Sequence, residues 1–171
     1  PPESWMQRKS GTWPAPHEPL TLVYVGAVSL KDTYIKELVV WLRQHRPEAV
    51  TLDIYVGNVD SETLAFLSRY SGKQIRVHAE GVEYSRLPDI LPNYHVGVVL
   101  YRGNTPNYVF NAPNKMFEYL ICGLEVWYPS VMKGIHPYRR EGVVPRVLAV
   151  DFSNLQDGDL SLFRRRDRLP H

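Results

Sequence analysis

The residues with the most chemical promise sit close together: Asn111, Pro113, Asn114, Lys115 and Glu118, within the run NAPNKMFE at 111–118. Three asparagines (Asn104, Asn107, Asn111) and two aromatics (Tyr108, Phe110) precede Pro113. The stretch 102–113 is expected to be a loop of about a dozen residues, and loops that long in a compact α/β domain usually carry function. A helix is expected from Asn114 to about Ile121, with Asn114 as its cap. Helix N-termini present unpaired N–H groups and a partial positive charge, which together make an anion site, and Lys115 adds a full charge beside it. On a helical wheel Met116, Phe117, Leu120 and Ile121 gather on one side, while Glu118 shares the opposite face with Asn114. Two readings of Glu118 stand. A carboxylate one turn inside a phosphate-binding helix can accept two ribose hydroxyls. Alternatively it pairs with Lys115 on a solvated face.

The elements that must position these residues follow from periodicity. Leu20 to Val25 is apolar and β-branched and stops at Gly26, as a buried strand does. Ile35, Leu38, Val39 and Leu42 form a helical stripe, and Val50 to Val56 is a second strand ending at Gly57. Asp60 or Ser61 can cap a helix carrying Leu64, Phe66 and Leu67. Ile75–His78 reads as a short strand. Leu87, Ile90 and Leu91 form a third helical stripe, and Val96 to Leu100 reads as a fourth strand. Glu125 to Tyr128 and Val147 to Val150 are the last strand candidates. Tyr-Val-Gly occurs at 24–26 and again at 55–57, as two similar strand ends. Strands alternating with helices at this spacing predict an α/β, Rossmann-like parallel sheet with helices on both faces. Such a sheet binds its ligand at the carboxyl ends of its strands.

Composition bounds the alternatives. The chain has 171 residues, and at about 150 residues per domain that is one domain. Five prolines in residues 1–19 mark a linker or lead-in, 20–152 the ordered domain, and 153–171 a tail with a helical start at Leu160, Leu162 and Phe163, suited to packing on a partner domain. The chain opens Pro1-Pro2 with neither Met nor signal peptide, so it is expected to be a piece of something longer, in a cytoplasmic setting. No apolar run is long enough to span a membrane. Residues 1–130 hold twelve basic and thirteen acidic residues, so the basic excess lies in the tail, at Arg164, Arg165, Arg166 and Arg168. One short run of this kind reads as a solvated end, and no nucleic-acid partner is expected. Lys133, His136, Arg139 and Arg140 form a basic loop that also reads as solvated. Six histidines without ligand spacing give no metal site. Cys122 beside Gly123 reads as a packed small hydrophobe rather than a nucleophile. Asp53 falls inside a strand, on a face that spacing does not assign.

The run Asn111 to Leu124 resembles the donor-site signature of GT-B glycosyltransferases of the glycosyltransferase group 1 type, Pro-Asn/Ser-Lys-Leu-Phe-Glu-Tyr followed by Gly-Leu/Lys-Pro-Val. Tyr24-Val25-Gly26, Asp53 to Gly57, and Val82 to Leu87 with Asn93 to Val98 resemble further blocks of that family in order. The resemblance covers roughly residues 20–152 and corresponds to the C-terminal domain. It implies that Glu118 binds the ribose of a UDP- or GDP-linked sugar, the substrate, with no metal required. Asn111, Pro113, Asn114 and Lys115 would hold the diphosphate, and Gly26 would let it approach the backbone. Base contacts would come from Glu80 to Tyr84. The acceptor would bind an N-terminal domain of the same protein, through which any membrane association would also run. The sequence departs from the family in four places. Ala27 stands where an Arg is usual, with Lys31 near a second usual cation. Phe110 replaces the first carboxylate of the E-x7-E pattern, and Glu125 replaces the customary Pro. Lys115, Arg102 or the absent domain would then have to stabilise the leaving diphosphate. A degenerate, non-catalytic interaction domain of the same fold is the alternative.

Overall fold

A computed structural model describes Trp5 and residues 13–166. Residues 1–4 and 6–12 of the expected lead-in lie outside the described residues. So do 167–171 of the tail, including Arg168. Six strands form one sheet: β1 (Leu20–Val28), β2 (Val50–Val59), β3 (Ile75–His78), β4 (Val96–Val98), β5 (Glu125–Pro129) and β6 (Val147–Val150). Their order is β3-β2-β1-β4-β5-β6, and every pairing is parallel. The order reverses between β1 and β4, and such a switch point opens a crevice at the strands' carboxyl ends.

The helices are α1 (Ile35–Leu42), α2 (Ser61–Tyr70), α3 (Leu87–Ile90), α4 (Pro106–Phe110), α5 (Asn114–Ile121) and α6 (Asp159–Arg164). Alternate residues of β1 feed two cores, as a pleated strand covered on both sides must. Leu20, Leu22 and Tyr24 join α1, α2 and α6 on one face, while Val23 meets α3 and α5 on the other. Asp60 caps α2 by accepting from the Thr63 N–H at 2.8 Å. The buried row of α2 is Thr63, Phe66 and Leu67. Leu64 is only half-buried.

Three expectations are corrected here. The stretch 102–113 is not all loop: it contains α4, capped by the Thr105 side chain and started by Pro106. The tail helix α6 packs on its own sheet, with Leu160 buried and Phe163 against Trp41 and Trp127. Arg164 and Arg166 are anchored rather than solvated. Arg164 donates to the carbonyls of Ala15, Glu18 and Ala49, and the Arg166 Nε lies 2.9 Å from the Glu125 carboxylate.

Glu125, where the family has Pro, is fully buried at the start of β5. Arg146 meets both of its oxygens at 2.6 and 2.7 Å, a bidentate geometry that repays desolvation better than a single contact does. The Trp13 ring lies over the Arg166 guanidinium at 3.8 Å, and its Nε1 donates to the Arg164 carbonyl. The segment before β1 and the segment after α6 are thus joined at the amino ends of the strands.

Candidate functional site

The site is built where β1 and β4 end and α5 begins. Gly26, with φ +140°, turns the chain at the carboxyl half of β1. A side chain on Gly57 would stand 3.0 Å from the Gly26 carbonyl carbon, so glycine at 57 lets the two Tyr-Val-Gly strand ends lie against each other. Gly26, Pro113, Asn114 and Lys115 line one cavity of about 220 Å³, together with the ends of β1 and β4. The crossover order brings together four residues that the sequence analysis nominated from separate stretches.

Helix α5 meets the cavity with its N-terminus. Pro113, not Asn114, holds the capping position, and no side chain caps the helix. Asn114 is the first helical residue and is exposed. The cause is local: Pro113 has φ −70° but an extended ψ of 147°, so it caps the helix, which starts at Asn114, one residue earlier than a cap at Asn114 would place it. An uncapped N-terminus leaves its first N–H groups facing the cavity, where the helix dipole favours an anion.

Glu118 lies one turn further in and is 5% exposed. The expected stripe of Met116, Phe117, Leu120 and Ile121 is also corrected. The fully buried row is Met116, Tyr119 and Cys122, and Phe117, Leu120 and Ile121 are only half-buried. Gly97 explains the difference. A Cβ there would stand 2.2 Å from the Tyr119 ring, so the ring occupies the space beside β4 that the glycine leaves. The Tyr119 hydroxyl accepts from the Val25 N–H and donates to the Val98 carbonyl, both at 3.2 Å, pinning α5 to β1 and β4.

Lys115 does pair with Glu118, Nζ to Oε2 at 2.7 Å, but on a buried rather than a solvated face. That contact is an ion pair without hydrogen-bond alignment, so the buried Oε2 has no aligned donor among the described residues. A buried acceptor in this condition is suited to a ligand's hydroxyl. The Tyr84 hydroxyl faces the same carboxylate, and reduced solvation followed by the Glu118 charge pushes its pKa up. Trp5 is buried and its ring packs on Tyr84 at 5.1 Å. The sequence placed base contacts at 80–84 but did not single out Tyr84 or Trp5. An aromatic in a segment without periodicity carries no signal of what it meets.

Other nominated residues fall elsewhere. Asn111 is exposed, its amide bonded to the Asn107 side chain, and it does not line the cavity. Arg102 is committed to Glu37 at 2.6 Å and to the Leu30 carbonyl, and it stacks on Tyr34. It does not line the cavity. Ala27 lines a second cavity of about 400 Å³ with Asp32, Asp60, Tyr101 and Tyr108. Lys31 is exposed and does not line it. Asp53 is buried and accepts from Arg76 Nε, His78 Nε2 and the Tyr94 hydroxyl at 2.7, 3.3 and 2.6 Å. Cys122 is fully buried. Among the described residues no cluster of metal-ligating side chains occurs. No helix among them is long and apolar enough to cross a membrane.

No protein-family model matches the sequence, and no curated protein sequence does. Solved structures do match. The C-terminal domain of a glycosyl transferase group 1 family protein (LpcC) from Francisella tularensis superposes with a TM-score of 0.60 at 12% identity. That match covers 85% of this chain and 76% of the other. The apo lipopolysaccharide outer core galactosyltransferase WaaB gives 0.57 at 14% identity, over 88% and 40% of the two chains. A GtfA/B complex gives 0.53 at 19% identity, over 87% and 28%.

The fold is that of a GT-B glycosyltransferase C-terminal domain. The chain spans 40% of WaaB and 28% of the GtfA/B chain, so it corresponds to one part of those longer proteins.

Proposed function

We propose that this chain is the donor-binding domain of a glycosyltransferase, holding a UDP- or GDP-linked sugar at the cavity between β1, β4 and α5. The carrying observation is Glu118: a buried carboxylate one turn behind an uncapped helix tip, with one oxygen lacking an aligned donor. In this reading the Glu118 carboxylate accepts the two ribose hydroxyls. The Asn114 and Lys115 backbone N–H groups and the Lys115 ammonium hold the diphosphate, and Gly26 leaves room for its approach. No metal is needed, because helix amides and a lysine supply the positive field. In the transfer an acceptor hydroxyl oxygen bonds to the anomeric carbon. The anomeric C–O bond to the diphosphate breaks, with the electron pair leaving on the diphosphate and the acceptor hydroxyl's proton passing to a base. The acceptor and any catalytic base would come from an N-terminal domain of the full-length protein, so this domain alone binds nucleotide but transfers no sugar.

Isothermal titration with UDP and with GDP tests the reading. Wild type should bind one of them, and Glu118→Ala should bind at least tenfold more weakly, about 1.4 kcal/mol or more. Equal affinity in the two proteins removes Glu118 from the site.

A second reading, a non-catalytic interaction domain, is favoured by one group of observations. Ala27 and the 64% exposed Phe110 stand where a cation and a carboxylate are usual, and the cavity at Ala27 is lined by two aspartates. Folded protein with no affinity for either nucleotide is the result that selects it.

A further inference from the structure

The two cavities at the carboxyl ends of the strands adjoin each other and differ in character. Gly26 lines the α5 cavity, Ala27 lines the second, and Tyr101 forms part of the wall of both. The α5 cavity holds about 220 Å³, below the roughly 300 Å³ at which pockets begin to enclose a whole small ligand. The second holds about 400 Å³. A ligand whose phosphates meet the α5 tip therefore finds room for a further ring next door.

The wall of the second cavity has the chemistry of a saccharide site. Tyr101 and Tyr108 stack on each other at 4.3 Å and 5°, so both rings are held in place at its side. A fixed aromatic ring offers an apolar surface to the C–H face of a pyranose. Ser29 and Asn58 bring a hydroxyl and an amide, and Asp32 and Asp60 bring carboxylates that accept from sugar hydroxyls. The charge of the wall has one sign. The Thr63 hydroxyl and N–H, both bonded to Asp60, hold its carboxyl below the usual carboxylate range, so it is ionised at neutral pH. Asp32 is half-buried and accepts from the Asn104 amide at 2.6 Å, a neutral donor that leaves its charge in place. Among the described residues no lysine or arginine lines this cavity. Lys31 is exposed outside it, and Arg102 is spent on Glu37.

We propose that the second cavity receives the sugar of the donor and selects it by charge: it takes a neutral or amine-bearing sugar and rejects one that carries a carboxylate, such as a uronic acid. This inference rests on the donor reading and adds to it the class of sugar. A sugar carboxylate in this cavity faces Asp32 and Asp60 where solvent is reduced, and like charges repel there more strongly than in open water. An ammonium in the same place is attracted. Residue 27 is alanine, and no other β1 side chain is charged, so the strand that floors the cavity offsets neither carboxylate. Repulsion of the wrong ligand sets specificity as effectively as attraction of the right one.

Isothermal titration of the full chain with UDP, UDP-glucose, UDP-glucosamine and UDP-glucuronate tests it, with GDP, GDP-mannose and GDP-mannuronate as the parallel series. In the series whose nucleotide binds, the uronate conjugate should bind at least tenfold more weakly than the neutral one. In the UDP series the glucosamine conjugate should bind at least as tightly as the glucose one. Asp32→Asn and, separately, Asp60→Asn should each narrow the gap between neutral and uronate conjugates severalfold. Asparagine keeps the side-chain shape at both positions and still caps α2 at residue 60, so circular dichroism should be unchanged. Equal affinity for neutral and uronate conjugates overturns the inference and leaves the donor reading standing. So does a gap that neither variant narrows. Folded protein with no affinity for UDP, GDP or any conjugate overturns the donor reading and this inference together.

Discussion

At the residue scale, burial decides what each ionisable side chain near the site can do. Tyr24, Tyr94 and Tyr119 all have pKa values pushed up, by burial above all. In Tyr94 the bond it donates to Asp53 adds to that effect. For a phenol, a raised folded-state value means that the folded protein binds the proton more tightly than the unfolded chain does. The stabilisation is therefore complete below the ordinary value near 10 and is lost as pH rises above it. Absorbance at 295 nm should show these tyrosines ionising only together with loss of secondary structure. Smooth reversible titration of all 11 tyrosines near pH 10, in folded protein, would contradict their burial. Glu118 belongs to the same scale. Its position one turn behind Asn114 was legible from spacing, whereas its burial was not, because that depends on how α5 packs on β4, where Tyr119 is held by Gly97 and Val98.

At the element scale, the seating of α5 on β4 sets the site. Tyr119 fills the space that Gly97 leaves, and its hydroxyl bridges the two strands that flank the cavity. Gly97→Ala should therefore force the ring away from the sheet. We expect a loss of about 2–3 kcal/mol of stability, read from chemical denaturation, as for other overpacked interiors. Nucleotide affinity should fall in the same variant, because the α5 tip moves with the ring. A variant as stable as wild type would show that the helix is held elsewhere. β1, β2, α1, α2 and α5 were legible because their patterns run over eight or more residues, and the shorter strands because they are compact runs of β-branched and apolar residues. The five-residue α4 was not: with Pro106 at its start and Thr105 as cap, its sequence resembles a turn as much as a helix.

At the scale of the whole molecule, the α5 cavity and the anchoring of the chain ends occupy opposite ends of one sheet. The cavity sits at the carboxyl ends of the strands, while Glu125, Arg146, Arg164, Arg166 and Trp13 tie both chain ends to the amino ends. Glu125→Ala would leave two cations without their buried partner, a loss of about 3–5 kcal/mol for pairs of this kind. A lower melting temperature with unchanged affinity for UDP or GDP is the expected combination. If affinity fell in step with stability, the two ends would be coupled.

The amino-acid sequence by itself determined the alternation of strands with the longer helices, the parallel sheet, and a helix start at residue 114 with Lys115 and Glu118 in its first turns. Those features rest on local patterns: β-branched runs, helical spacing and glycine at strand ends. Only the tertiary structure decided that Arg102 is spent on Glu37, that the arginine tail folds back on Glu125, and that Phe110 stands beside a basic 3-10 segment. The physical reason is common to all three. A charge or an aromatic ring acquires its role from partners distant in the chain, 65 residues away for Arg102 and Glu37 and 41 for Arg166 and Glu125. No local period records those meetings.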